Sequence, residues 1–124
     1  MFALVGCDDQ TTTVMTYPVM SYLSFSGSII HEANEQLDQE EDVYYIYYYG
    51  DNCSACTNIK NEALYTIEFL NEDSVYFVKL YTSSDIHEDI SIEGTPSLVR
   101  IVNGEVDEVF KGGQKVIDAL HDLS

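Results

Sequence analysis

The chain has 124 residues, room for one domain, and its 45% apolar content suffices for one modest core. Five Lys and Arg against 22 Asp and Glu leave a formal charge of -17, which repels phosphate backbones and anionic head groups and argues against nucleic-acid binding and polybasic membrane docking. The acidic residues are scattered rather than blocked, which fits solubility better than a dedicated basic partner, and no run approaches the ~18 apolar residues of a membrane span.

At the start, Leu4-Val5-Gly6-Cys7 resembles a bacterial lipobox, in which the chain is cut before a cysteine that then carries lipid. Residues 1–13 are therefore expected as a lipobox remnant and polar tether, ahead of a domain over 14–124. The pattern lacks a basic region and a full apolar stretch before it. Without lipidation, Cys7 is an odd free cysteine.

Val19 to Phe25 predicts a strand, interrupted early by Pro18 and so at a sheet edge. Ser26 or Ser28 is placed to cap a helix to about Gln39, with Ile30, Ala33 and Leu37 on one face. Val43 to Tyr49 is a continuous apolar and aromatic run, the pattern of a strand buried on both faces. Its tyrosines at 44, 45, 47, 48 and 49 fit sheet packing better than ligand binding. Gly50-Asp51-Asn52 then turns the chain into Cys53.

From Ser54 to about Leu70 the apolar residues Ile59, Ala63, Ile67 and Leu70 fall at helical spacing. Val75 to Tyr81 predicts a further strand, and residues 84–92 a connector of one or two helical turns. Ser97 to Val102, Asn103-Gly104 and Glu105 to Phe110 read as a β-hairpin, because Asn-Gly supplies the positive φ angles of a tight turn. Gly112-Gly113 breaks the chain, and Gln114 to Leu123 is a helix with Val116, Ile117, Leu120 and Leu123 facing inward. The order predicts an α/β domain: a mixed central sheet flanked by helices on both faces.

The chemistry lies in Cys53-Ser54-Ala55-Cys56. Cys53 stands at a helix N-terminus, where unpaired N–H groups and the helix dipole favour a thiolate, and Cys56 follows one turn on, within disulfide reach. Cys53 is the expected nucleophile and Cys56 the sheltered resolving thiol. A structural zinc site is the competing reading of such a pair. It lacks a second C-x-x-C, and His31, His87 and His121 show no ligand spacing, so no metal is expected.

A second landmark, Glu93-Gly94-Thr95-Pro96-Ser97-Leu98, places Pro96 forty residues after Cys56, and Asn103-Gly104-Glu105-Val106 follows that. With both motifs in register, residues 15–124 resemble the thioredoxin-like superfamily. The resemblance implies a cis Thr95–Pro96 bond beside the cysteines, with the Thr95 backbone pairing to an extended substrate segment. It also implies that Lys79 lies beneath the active site and tunes thiol acidity; its plain alternative is a strand lysine reaching solvent.

Departures from the family's pattern bear on mechanism. Asn52 stands where thioredoxins usually have tryptophan, Ala55 where they have proline, and Tyr47 where they have a buried aspartate that accepts a proton. Without that carboxylate, a Lys79 amine acting alone lowers thiol pKa values, which makes a pair more oxidising. The Gly-Thr-Pro triplet resembles extracytoplasmic disulfide isomerases, and the layout is similar to thioredoxin-like bacteriocin transport accessory proteins. The expected function is a bacterial thiol–disulfide oxidoreductase acting on protein cysteines through Cys53 and Cys56. Its partners would be protein thiols or disulfides and a redox partner of unspecified identity. It would work as a monomer with no cofactor beyond its own disulfide. It would stand outside the membrane on a lipid at Cys7 or, without that anchor, in the cytoplasm. The alternative is a non-catalytic accessory or binding module assisting secretion, with a static disulfide.

Overall fold

The computed structural model describes residues 16–124, so the lipobox-like stretch and Cys7 lie outside the described residues. The tyrosine-rich run forms β1, Val43–Tyr49, and six of its seven residues are buried. Around it stand α1 (Ser54–Glu68), β2 (Val75–Lys79), β3 (Ser97–Val102), β4 (Glu105–Lys111) and α2 (Gly113–Leu123). The four strands form one sheet in the order β2-β1-β3-β4. β2 runs parallel to β1, whereas β3 and β4 pair antiparallel. A mixed α/β sheet flanked by helices is therefore what the sequence pattern describes.

Strand alternation divides β1 between two cores. Tyr45, Tyr47 and Tyr49 pack with α1 and α2, through Ala63, Leu64, Val116 and Leu120. Tyr44, Ile46 and Tyr48 pack on the opposite face with Ile30, Val78, Ile90 and Val99. The hairpin between β3 and β4 turns through Asn103 (φ 51°) and Gly104 (φ 80°), the left-handed pair that a tight hairpin turn requires.

The N-terminal region departs from expectation. Val19 to Phe25 is not a strand; Tyr22–Ser28 is a kinked 3₁₀ segment in which no residue is buried. Val19 and Leu23 are 89% and 82% exposed, so their side chains gain nothing from sheet pairing. Ser21 instead caps the segment by accepting the Leu23 N–H at 3.1 Å. The contact with the sheet comes later, where Ile29 bridges Phe77 and the Ile30 N–H donates to the Phe77 carbonyl at 2.9 Å.

The predicted helix to Gln39 is likewise reduced to one 3₁₀ turn, Ala33–Glu35. Ile30, Ala33 and Leu37 have helical spacing, yet Ile30 is spent on extended contact with β2. The connector 84–92 holds a single 3₁₀ turn, Ser83–Asp85. Both α-helices consequently pack on one face, and the other is covered by short turns and extended chain.

A buried polar hub holds that second face together. Gln36, 1% exposed, accepts the Tyr48 hydroxyl at 2.8 Å and the His87 N–H at 3.0 Å on Oε1. Its Nε2 donates to the Asp85 carbonyl at 2.6 Å, and its own carbonyl accepts the Tyr44 hydroxyl at 2.6 Å. Every polar atom of the side chain thus has a partner, as a buried amide demands.

Candidate active site

The redox pair is placed by the end of β1. Gly50 ends the strand beside the Leu80 carbonyl and the Thr95 hydroxyl, and Asp51-Asn52 turn the chain. Cys53 is extended (φ -127°, ψ 99°) and caps α1, its Sγ accepting the Cys56 N–H at 3.0 Å. The two cysteines form a disulfide with a Cα–Cα separation of 5.2 Å. Their exposure is unequal: Cys56 is 2% exposed, and Cys53 is only half-buried. The outer sulfur stands where unpaired N–H groups and the helix dipole stabilise a leaving or attacking thiolate.

The Thr95–Pro96 bond is cis, and Pro96 is buried. The Thr95 carbonyl oxygen lies 3.4 Å from Cys53 Sγ, so a reduced Cys53 thiol can donate to it. Ser97 donates its hydroxyl to the Gly94 carbonyl at 2.6 Å and braces the approach to the proline. Behind it, the Gly112 N–H donates to the Pro96 carbonyl at 2.9 Å. Thus Cys53, Cys56, Thr95 and Pro96, chosen from sequence, come together in one place.

The backbone matches that of mitochondrial thioredoxin 3 from Saccharomyces cerevisiae in its oxidised form, with a TM-score of 0.65 at 17% identity over 81% of this chain and 99% of that one. The chain has the thioredoxin fold. Fasciola hepatica thioredoxin matches with a TM-score of 0.62 at 15% identity over 77% of this chain and 98% of that one. Chlamydomonas reinhardtii thioredoxin f2 matches with a TM-score of 0.61 at 14% identity, covering 76% and 93%. No protein-family model matches the chain, and neither does any curated protein.

Within this thioredoxin fold, Tyr47 is fully buried and its hydroxyl has no hydrogen-bond partner among the described residues. Burial, and then the neighbouring Tyr22 phenol, push its pKa far above that of a free tyrosine. A phenol held neutral in this way does not replace a carboxylate as proton acceptor.

Lys79 ends β2, and its Nζ lies 3.0 Å from Asp51 Oδ1. The expectation that the amine acts without a carboxylate is corrected here, because the turn before Cys53 supplies one. Hydrogen bonding to Asp51 holds the Lys79 ammonium above the ordinary lysine pKa.

Sequence reasoning missed three features. A cleft of about 380 Å³ reaches Cys56 and is lined by Tyr22, Tyr49, Asp51, Lys60 and Lys79 among others. Tyr22 and Tyr49 stack at 3.8 Å within it, and burial pushes the Tyr22 pKa up to about 12. Gly112 and Gly113 also do more than break the chain. Gly112 takes φ 91° while bonding Pro96, and a Cβ on Gly113 would meet Ile59 Cγ2 at 3.1 Å. The glycine pair was the only signal for that contact; nothing in the sequence marked the cleft. Among the described residues no group of three His, Cys, Asp or Glu side chains is arranged to hold a metal ion.

Proposed function

We propose that the chain is a thiol–disulfide oxidoreductase acting on protein cysteines through Cys53 and Cys56. The observation that carries this reading is the half-exposed Cys53 sulfur at the α1 N-terminus, 3.4 Å from the carbonyl of the residue before a cis-proline, with Cys56 sheltered behind it. In the oxidising direction a substrate thiolate attacks Cys53 Sγ, the Cys53–Cys56 bond breaks, and Cys56 leaves as a thiolate. A second substrate thiolate then attacks the substrate sulfur of the mixed disulfide and frees Cys53. In the reducing direction Cys53 thiolate attacks the substrate disulfide, and Cys56 closes the ring by attacking Cys53 Sγ. Thr95 presents backbone to an extended segment on the way in.

The reading extends to a pair less reducing than thioredoxin's about -270 mV, since no buried carboxylate stands at position 47. It also includes an extracytoplasmic station with a lipid on Cys7, supported by the Leu4-Val5-Gly6-Cys7 pattern.

Insulin reduction by dithiothreitol tests the function. The wild-type chain should accelerate it, and Cys53→Ser should abolish the acceleration. Cys56→Ser should accumulate a mixed disulfide on Cys53 that identifies the substrate. A wild-type disulfide that neither reduces in the native state nor transfers to substrate would leave an accessory module with a static crosslink.

A further inference from the structure

We propose that Asp51 is a charge-setting residue of the redox pair: by offsetting Lys79 at the cleft that reaches Cys56, it restrains the acidity of the thiols and so the oxidising strength of the disulfide. This rests on the redox reading above and adds a residue to it.

Cys56 is 2% exposed and is among the residues that line the cleft. The formally charged groups facing that cleft are Asp51, Lys60 and Lys79, and the phenols are Tyr22 and Tyr49. Lys60 Nζ lies over the Tyr22 ring at 5.6 Å from its centroid. Lys79 Nζ sits 5.2 Å from the Tyr81 ring centroid and 3.0 Å from Asp51 Oδ1. Asp85 lines the adjoining cleft together with Lys79, and its Oδ2 accepts the N–H groups of Tyr81 and Thr82 at 2.7 and 2.8 Å.

Two of the chain's five basic residues therefore border one cleft, in a molecule of formal charge -17. With Asp51 in place the cleft carries one net positive charge, and without it two. A cation near a sulfur stabilises the thiolate, and a carboxylate there opposes it. Reducing the disulfide takes two electrons and two protons from a dithiol, which closes to its own cyclic disulfide. Wherever a cysteine stays as thiolate, one proton remains in solution and the reduced state gains stability.

The test equilibrates wild type, Asp51→Asn, Lys79→Met and the double variant against dithiothreitol at low salt, with the alkylation rate of reduced Cys53 followed against pH. Asp51→Asn should favour the reduced form about two- to threefold, equivalent to about 10–15 mV for a two-electron couple, because solvent screens the partly exposed pair, and should move the alkylation profile to lower pH. Lys79→Met should shift both readouts the other way, and the double variant should return close to wild type. Asp107→Asn, which removes one negative charge paired with Arg100, should change neither. An unchanged or opposite response in Asp51→Asn overturns the inference, as does an equal response in Asp107→Asn. A wild-type disulfide that does not equilibrate with dithiothreitol at all refutes instead the redox reading on which it stands.

Discussion

Replacing Gln36 with leucine removes the side chain that joins β1 to the connector between β2 and β3, at nearly constant volume. Three groups lose a partner: the Tyr48 hydroxyl, the His87 N–H and the Asp85 carbonyl. Tyr48 is 0% exposed, so its hydroxyl bears the full cost of an unpaired buried group, about 1–3 kcal/mol. The other two belong to half-buried residues near the surface and regain water, which leaves a net loss of about 0.5–1 kcal/mol each. The total is about 2–5 kcal/mol, a large share of the stability of a domain this size. At about 3–6 °C per kcal/mol for a chain of this length, Tm should fall by about 6–30 °C. Urea denaturation of the oxidised protein measures the loss directly. Adding Tyr48→Phe to the Gln36→Leu chain should restore about 1 kcal/mol, because the orphaned hydroxyl goes with it. A loss below about 1 kcal/mol, or further destabilisation by Tyr48→Phe in that background, would refute the hub.

Tyr47→Phe has the opposite sign: it deletes a buried hydroxyl that has no partner among the described residues and should stabilise the fold by about 1 kcal/mol without moving the redox potential. A loss of stability in urea denaturation would show that the hydroxyl has a partner. Raising the pH gives a further check. Burial holds Tyr22 at about 12 and lifts Tyr47 and Tyr48 further, whereas unfolded tyrosine ionises near 10. The neutral phenol is the folded form, so this stability is fully present below pH 10 and is lost as pH climbs through the folded values. Tyrosinate absorbance should therefore rise in two stages, the later one together with loss of circular dichroism. A single titration near pH 10 with the fold intact would contradict the burial.

The parts of the fold that could be read from sequence are those where local chemistry and tertiary environment agree. β1 was legible because its seven residues leave no polar face, and the hairpin because Asn103 and Gly104 permit little else. Both helices ended within a residue or two of their apolar period. Residues 19–39 were not legible because their apolar residues serve different ends: Val19 and Leu23 face solvent, while Ile30 reaches the core from extended chain. Gln36 fell among acidic neighbours on the supposed solvent face, and nothing local marks a glutamine that will be buried. In the site, C-x-x-C and Thr95-Pro96 carry their own signatures. Asp51 looked like an ordinary turn residue, since its meaning depends on Lys79, which lies 28 positions away in sequence but one strand over in space.

Tyr48 lies opposite Ser97 in the ladder between β1 and β3. Cys53 is suspended just beyond one of these residues, and Pro96 immediately precedes the other. The spacing between sulfur and proline is therefore measured by a hydrogen-bonded ladder at the centre of the sheet, rather than by the length of chain that joins them. A slip of one residue would displace one against the other by about 3.4 Å and turn every side chain of the strand to the wrong face. The same ladder that packs the core thus acts as a gauge for the reacting atoms. The connector from Leu80 to Thr95 bears on that setting from outside the ladder, held to the opposite face by Ile90 in the core and by Gln36 at Asp85 and His87.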